Sequence, residues 1–396
     1  MPIELQHQMN IKKTLDESSK LDFVASLRAY VLNDMANTMR ERYEEKVEPA
    51  FEREHSRKPE TGTEVHKSLM DEQYFQFYSS MRCTAQRMVW NSVIDPIERS
   101  YESLIKTASE LIDDSNLAEN QSLEIPKNVS ALDVHLSPGG YSKEYNDQDI
   151  TTGAIYDNGL AVFSFGMMGL NLDDIGMSMA NYIRHTFPDF KPEKIVDFGC
   201  TVGHNTSALA KTWSDAEVTG IDVAAPLLRY AAARSRSQKL NVKYSQQDAE
   251  KTNFPDDSVD MVFSSMFLHE LSAKVRKNVL KEAYRILKPG GLMLHMELPP
   301  TDQLGAYDNF YLDWDSYYNN EPYYKGFRAE NCQANCVAAG FAEEDYLQFT
   351  TPQYTYISDE EYQQKINQGE QDMDDKVGRL SNELSWYGFG AWKNNG

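Results

Sequence analysis

Cysteine is scarce in this sequence, with four among 396 residues: Cys83, Cys200, Cys332 and Cys336. So few thiols do not make a disulfide framework for a chain of this length, and they fit a reducing compartment. The first residues lack the charged and then apolar pattern of a signal peptide. No stretch approaches the roughly 18 apolar residues of a membrane-spanning helix. These absences predict a soluble, cytoplasmic protein without a membrane partner.

Basic residues are also few: 39 lysines and arginines stand against 61 aspartates and glutamates, for a formal net charge of −22. Binding nucleic acid requires clustered positive side chains that neutralise phosphates, so this balance argues against that class of partner. The sequence contains no G-x-S-x-G, Walker or H-E-x-x-H motif. Cys332 and Cys336 lie four residues apart, but no second pair or nearby histidine completes a zinc set. We therefore expect no metal in the functional site.

The most informative segment that is present is a strand, a loop and a helix between residues 195 and 211. A short apolar strand runs into Asp197, a loop with Gly199 and Gly203 follows, and a helix is expected to begin at about Asn205. Glycines at such a bend permit a positive φ, and the helix N-terminus presents unpaired N–H groups. Thr201 occupies the second glycine position of the dinucleotide fingerprint. The pattern indicates a nucleotide-type turn of another kind.

The segments that follow are predicted to be strands of one sheet. Residues 217–222 end in Asp222, 25 residues after Asp197, and an acid at that tip accepts hydrogen bonds from ribose hydroxyls in nucleotide-binding units. A Lys-Pro-Gly-Gly turn at 288–291 precedes the fifth of these strands. The further strand candidates are residues 242–249, 259–265, 292–297, 345–351 and 385–393.

In order and spacing these motifs resemble the class I S-adenosylmethionine-dependent methyltransferases of the broad small-molecule type. The resemblance is close over residues 190–300, looser over 300–396, and absent over 1–150. It implies an α/β fold with a Rossmann-like sheet of seven strands, the last two antiparallel, together with an additional α-helical N-terminal domain. It also implies that S-adenosylmethionine is the cofactor, S-adenosylhomocysteine the product, and a small or medium organic molecule of secondary or specialised metabolism the acceptor.

The resemblance assigns the glycine loop to the methionine half of the cofactor and the strand ends to the rest of it. Asp222 would take the ribose hydroxyls, and Asp248 the adenine amino group. Thr201 is larger than the glycine or alanine common at that position, which should tighten the loop. The cofactor-binding candidates are Asp197, Gly199, Cys200, Thr201, Gly203, Asn205, Thr206, Asp222, Val223, Asp248, Ala249, Ser265 and Met266.

His269 is the candidate general base. It lies just past the fourth strand, at the edge where open α/β sheets bind their ligands, and imidazole titrates near neutrality. Glu297 ends the neighbouring strand and is predicted to orient the ring, an arrangement similar to the His–Glu pair of polyketide-type carbon methyltransferase domains. Glu270 is the competing partner. A purely structural role for His269 stays open, and His295 is expected to serve in packing.

The parts outside the sheet are predicted to form the acceptor side. Residues 1–115 carry apolar side chains at helical spacing and are expected to form a helical domain over the substrate. Residues 116–150 are predicted to be a connector, and the glycine-rich, apolar segment 151–190 a cover over the cofactor pocket of domain 191–396. An aromatic insertion at 301–328 suits an organic ligand. The substrate-binding candidates are Phe165, Met168, His269, Tyr307, Tyr311, Trp314 and Tyr318.

Two other functions stay open. One is a polyketide-type carbon methyltransferase that acts on a carrier-bound β-carbonyl thioester, although two acidic proteins would repel each other without a local basic patch. The other is a non-catalytic scaffold or regulator that binds the cofactor. A carrier protein and a second copy of the chain in a homodimer are therefore kept as candidate partners.

Overall fold

The centre of the molecule is a mixed β-sheet. The computed structural model describes residues 4–368, 377–380 and 384–394, and within these the sheet has eight strands in the order β1-β4-β3-β2-β5-β6-β8-β7. Strand β8 runs antiparallel to both β6 and β7, and the other neighbours are parallel. The strands are β1 (Leu117–Ala118), β2 (Lys194–Phe198), β3 (Glu217–Asp222), β4 (Val242–Gln246), β5 (Val259–Ser265), β6 (Leu287–Glu297), β7 (Tyr346–Pro352) and β8 (Ser385–Trp392).

The seven predicted strands are all present, with the last two antiparallel, so the Rossmann-like fold is confirmed. The eighth strand, β1, is two residues long and comes from the segment predicted as a connector. It joins the edge of β4, where the Tyr244 N–H donates to the Asn116 carbonyl at 2.9 Å. Two residues carry too little alternation of apolar and polar side chains to be recognised as a strand.

Helices cover both faces of the sheet, because parallel strands buried on two sides need a layer on each. One face packs on α12 and α15, and the other on α9 and α10. The helices from residue 127 onward are α7 (Lys127–Ser130), α8 (Thr151–Phe163), α9 (Asp174–Thr186), α10 (His204–Thr212), α11 (Ala225–Ser237), α12 (Ala273–Ile286), α13 (Ala306–Tyr318), α14 (Tyr324–Arg328), α15 (Cys332–Ala339) and α16 (Asp359–Asn367).

The amino-terminal part is helical from Leu15 to Leu111 with short connections. A capping box opens it, in which Thr14 and Glu17 each accept the other's backbone N–H. Pro96 lies inside the last turns of α5, and the buried face of that helix continues through Ile97. The helices are α1 (Leu15–Tyr30), α2 (Ala36–Arg42), α3 (Glu48–His55), α4 (Gly62–Leu69), α5 (Gln73–Arg99) and α6 (Tyr101–Leu111), with π-helical turns at Val31–Met35 and Tyr43–Val47.

These helices share a core with the sheet region. Val89 and Val93 of α5 are buried in one apolar cluster with Leu227 and Tyr230 of α11. At Gly159 of α8 a Cβ would lie 2.4 Å from the indole ring of Trp90, so only glycine allows this approach. Burying these side chains together ties the amino-terminal helices to the sheet region. No helix among the described residues is long and apolar enough to cross a membrane.

Candidate active site

The predicted turn between β2 and α10 requires its two glycines. Gly199 has a φ of +67° and Gly203 a φ of +76°, a conformation that side chains rarely adopt. A Cβ on Gly203 would lie 2.1 Å from the hydroxyl oxygen of Tyr244. Thr201 adopts a φ of +48°, which is unusual for a β-branched residue and marks local strain at this loop.

Two carboxylates flank the turn. Asp197 is buried and accepts a hydrogen bond from the Thr206 hydroxyl at 2.5 Å. Asp222 accepts backbone N–H groups of Thr201 at 3.1 Å and of Ala224 at 2.9 Å. Burial raises the pKa of Asp197 to about 7 and that of Asp222 to about 6. A ligand that donates hydrogen bonds to either carboxylate would therefore stabilise its charged form.

A cavity of about 320 Å³ opens at the carboxyl ends of β2 to β5. Of the thirteen cofactor-binding candidates, Gly203 and Thr206 do not line it. Gly203 instead caps α10, and Thr206 holds Asp197 from behind. The candidates that line the cavity are Asp197, Gly199, Cys200, Thr201, Asn205, Asp222, Val223, Asp248, Ala249, Ser265 and Met266.

The opposite wall of the same cavity comes from the amino-terminal helices, from α8 and from the region before α8. Arg28 of α1 and Arg82 of α5 line it, together with Trp90, Tyr141 and Tyr156. None of these five residues was a candidate for ligand binding from the sequence. A single arginine or aromatic side chain in these segments forms no pattern that indicates a cavity. The cavity is thus continuous from the glycine turn to the amino-terminal helices.

Only some of the predicted substrate-binding residues line the cavity. Met168 and Tyr311 line it, whereas Phe165 does not. The insertion forms a helix, α13, so its side chains divide between two faces. One face turns Tyr311, Asp315 and Asn319 toward the cavity at the i, i+4 spacing.

Three further substrate candidates on α13 lie away from the cavity, which corrects their expected placement. Tyr307 and Trp314 are buried in an apolar cluster with α4 and α5, where Trp314 stacks on Tyr78 at 5.4 Å between ring centroids. Tyr318, at the end of the helix, is 42% exposed. Tyr307 and Trp314 therefore join the insertion to the amino-terminal helices.

His269 and Glu297 are neighbours, as the sequence suggested. The His269 Nδ1 lies 2.6 Å from Oε2 of Glu297. The other carboxylate oxygen of Glu297, Oε1, accepts the backbone N–H groups of Phe267 and Leu268. However, His269 does not line the cavity; its Nε2 lies 3.7 Å from the carboxylate of Glu321, which does line it. Burial lowers the pKa of His269, but Glu297 and Glu321 outweigh it and raise the pKa above its ordinary value.

A second histidine, His135, lies between two of the carboxylates that line the cavity, Glu270 and Glu321. Its Nδ1 is 3.3 Å from Glu321 and its Nε2 is 3.5 Å from Glu270. The Tyr141 hydroxyl donates to Glu270 at 2.8 Å, so Glu270 pairs with these groups and not with His269. Burial lowers the pKa of His135, but both carboxylates raise it more, to about 10. No pattern in the sequence pointed to His135, which lies in the predicted connector.

A buried ionic cluster joins the start of α10 to α8, to α11 and to His7, which precedes α1. Asp157 of α8 accepts from His204 Nε2 at 2.6 Å and from the Tyr230 hydroxyl at 2.7 Å. His7 Nε2 lies 3.0 Å and Arg234 Nε 3.7 Å from the same carboxylate. Burial would raise the pKa of Asp157, but His7, His204 and Arg234 together hold it well below its usual range. Burial and Arg234 lower the pKa of His204, so a neutral ring donates to an ionised carboxylate.

Known proteins resemble the sheet region. Residues 195–291 match the family described as a methyltransferase domain. The demethylmenaquinone methyltransferase of Thermus thermophilus is 31% identical over 120 residues, 30% of this chain and 53% of that protein. The malonyl-[acyl-carrier protein] O-methyltransferase of Methylococcus capsulatus is 30% identical over 136 residues, 32% of this chain and 47% of that protein. This chain spans about half the length of both relatives.

Among solved structures, the phosphoethanolamine N-methyltransferase 2 of Haemonchus contortus in complex with S-adenosyl-L-methionine aligns with a TM-score of 0.41. The sequence identity is 18%, and the alignment covers 59% of this chain and 57% of that one.

The sheet order, the glycine turn and the acid at the tip of β3 define a nucleotide-binding domain of the doubly wound α/β class. With the family match over residues 195–291, that domain is a class I S-adenosylmethionine-dependent methyltransferase domain, whose cofactor is S-adenosylmethionine. The family predicted from the sequence is confirmed.

Proposed function

We propose that this protein transfers a methyl group from S-adenosylmethionine to a small or medium organic acceptor bound between the sheet and the amino-terminal helices. The observation that carries the proposal is the continuity of the cavity. Its lining joins Gly199 and Asp222 of the cofactor side to Arg28, Tyr141 and other groups of the helical side. A scaffold that only binds the cofactor would have no need of such a second, polar and aromatic wall.

The cofactor side suits an S-adenosylmethionine molecule. Asp222 keeps free acceptor capacity beyond its two backbone hydrogen bonds, which fits the two ribose hydroxyls. Asp248 lines the cavity beside Ala249 and is our candidate for the adenine amino group. Bound there, the cofactor supplies an electrophilic methyl group on a sulfonium. Ser265 and Met266, at the end of β5, lie on the wall that leads to the acceptor side.

The side chains of this protein would align the acceptor and hold its proton. Glu270 and Glu321 are the carboxylates of the histidine cluster that face the cavity, so we assign the proton of the acceptor to one of their oxygen atoms. His135 and His269 lie beside them, with His135 Nδ1 at 3.3 Å and His269 Nε2 at 3.7 Å from the Glu321 carboxylate. His269 is then a positioning residue, which revises its predicted role as the base in contact with the acceptor.

Transfer of tritium from methyl-labelled S-adenosylmethionine to a panel of small acceptors tests the proposal. The panel includes carrier-bound β-carbonyl thioesters, so it also separates the polyketide-type alternative. For an acceptor that is methylated, whichever of Glu270→Gln and Glu321→Gln removes the base should lower kcat by at least about 10²-fold, the smaller end of what general bases contribute. The affinity of that variant for S-adenosylmethionine should stay at the wild-type value. Cofactor binding with no transfer to any acceptor would favour the scaffold and contradict the proposal.

A further inference from the structure

Two buried arginines line the wall of the cavity that faces away from the glycine turn. Arg28 is 1% exposed and Arg82 is 3% exposed. Arginine is almost never buried this fully unless it is paired with a counter-charge. The partners of these two side chains therefore indicate what the wall is built to bind.

Arg82 has a carboxylate partner. Its Nε lies 2.7 Å from Asp315 Oδ1, and its Nη2 donates to Asp315 Oδ2 at 3.0 Å. Its Nη1 donates to the side-chain oxygen of Gln86 at 3.1 Å. This arginine is thus neutralised and held in a fixed orientation within the protein.

Arg28 forms no ion pair with a carboxylate among the described residues. Its Nε donates to the Phe163 carbonyl at 2.7 Å, and its Nη1 donates to the Gln86 oxygen at 2.6 Å. Its guanidinium carbon lies 3.6 Å from the centroid of the Phe163 ring. The second terminal nitrogen of Arg28, Nη2, has no hydrogen-bond partner among the described residues.

The charges of Arg28, Arg82 and Asp315 do not cancel. Two guanidinium groups share one carboxylate, so these three side chains together carry one net positive charge. Burial and the charge of Arg82 lower the pKa of Arg28, and the opposing effect of the Asp315 carboxylate does not make up for them. An uncompensated buried charge is strongly destabilising, and one monoanionic group would neutralise it. The planar guanidinium matches the geometry of a carboxylate.

We propose that the acceptor is an organic acid whose carboxylate is bound by Arg28 at the helical wall. The inference rests on the proposed function, since it specifies the acceptor of that same cavity. Phe163, Trp90 and Tyr311 line the space around the arginine and suit an aromatic or apolar body. The carboxylate at the helical wall would leave the group to be methylated toward Met266. Gln86 fixes Arg28 beside Arg82 and so belongs to the same subsite.

Binding without turnover tests this inference. The full chain is saturated with S-adenosylhomocysteine and titrated calorimetrically with acids and their isosteric amides: benzoate and benzamide, 4-hydroxybenzoate and 4-hydroxybenzamide, indole-3-acetate and indole-3-acetamide. At least one acid should bind about tenfold or more tightly than its amide, because the acid adds a charge-assisted hydrogen bond. Inorganic phosphate is titrated in parallel. Tighter binding of phosphate than of every acid would overturn the assignment of a carboxylate.

Variants distinguish loss of the carboxylate subsite from a general loss of protein structure. Arg28→Gln should abolish the preference for the acid, and Arg28→Lys should keep part of it. Asp315→Asn should increase the preference, since it removes the one negative charge that offsets the arginines; a merely structural role predicts no such gain. Arg42→Gln, which changes an arginine whose side chain is 48% exposed, is the matched control and should change nothing.

The outcomes distinguish this inference from the proposed function. Acids that bind no more tightly than their amides to the wild-type protein, or a preference that survives in Arg28→Gln, would overturn the carboxylate subsite alone. A wild-type protein that binds neither S-adenosylmethionine nor S-adenosylhomocysteine would overturn the proposed function. If Arg28→Gln does not fold, the acid and amide comparison in the wild type and in Asp315→Asn decides the question.

Discussion

Asp157→Asn tests how much the buried ionic cluster between α8 and the start of α10 contributes to stability. The carboxylate is fully buried and is surrounded by His7, His204, Tyr230 and Arg234. Asparagine is nearly isosteric, but it has one acceptor oxygen and presents an NH₂ group to neighbours that are themselves donors. The substitution therefore removes a buried charge and leaves at least one donor without a partner.

The expected loss of stability is about 3–5 kcal/mol, the range for breaking a buried ion pair by removing one partner. Urea denaturation followed by circular dichroism at neutral pH measures it. The control is Asp95→Asn, whose carboxylate is 78% exposed beside Lys20 and should contribute at most about 1 kcal/mol. A loss below about 1 kcal/mol in Asp157→Asn would refute the reasoning.

The same cluster predicts a pH dependence. The pKa of Asp157 in the folded protein lies below its usual value of 3.8. Its contribution is therefore present above that unfolded-state value and is lost as the pH falls through the folded-state pKa. The difference in unfolding free energy between the wild type and Asp157→Asn should shrink below about pH 4. A difference that stays constant on acidification would mean that the carboxylate is not ionised in the fold.

Two further predictions concern the site. Gly203→Ala should lower the melting temperature and weaken S-adenosylmethionine binding, because its Cβ would lie 2.1 Å from the Tyr244 hydroxyl oxygen and the φ at this position is +76°. Gly326→Ala is the control, because no atom lies within 4 Å of the added Cβ there. Equal effects of the two substitutions would contradict the close approach at Gly203. Glu321→Gln should lower the pKa of His135 from about 10, measured by NMR of the imidazole protons. Because the pKa of His135 is raised above the ordinary 6.5, the stability that protonated His135 gives to the folded protein is fully present below about pH 6.5 and is lost as the pH rises toward 10. The wild type should therefore lose more stability than Glu321→Gln over that range. An unchanged imidazole titration would place the source of the shift elsewhere.

The sequence predicted the sheet well because its signals are local. Each strand is a short apolar run, and the glycines, Asp197 and Asp222 occur at the turns that follow the strands. Parallel strands bring their carboxyl ends to one edge, so spacing along the chain sufficed to place most cofactor candidates around one cavity.

The acceptor side was predicted less well because its geometry depends on contacts between distant segments. The aromatic residues of α13 suggested a ligand pocket, but helix periodicity turns Tyr307 and Trp314 into the core with α4 and α5. His269 was expected at the acceptor, yet Glu321, 52 residues later, lies between it and the cavity. Arg28 and Arg82 belong to amphipathic helices in which an arginine ordinarily faces water. Only the packing of those helices shows that both arginines face inward.

Calorimetric titration of S-adenosylmethionine into the wild type, Asp222→Ala and Asp189→Ala tests the central claim most directly. Asp222 accepts hydrogen bonds at the tip of β3 and lines the cavity, whereas Asp189 is exposed. Loss of a charge-assisted hydrogen bond amounts to about 1.5–3 kcal/mol. We therefore expect S-adenosylmethionine to bind the wild type and Asp189→Ala with equal affinity, and Asp222→Ala at least about tenfold more weakly. No binding to the wild type, or equal affinity in all three proteins, would contradict it.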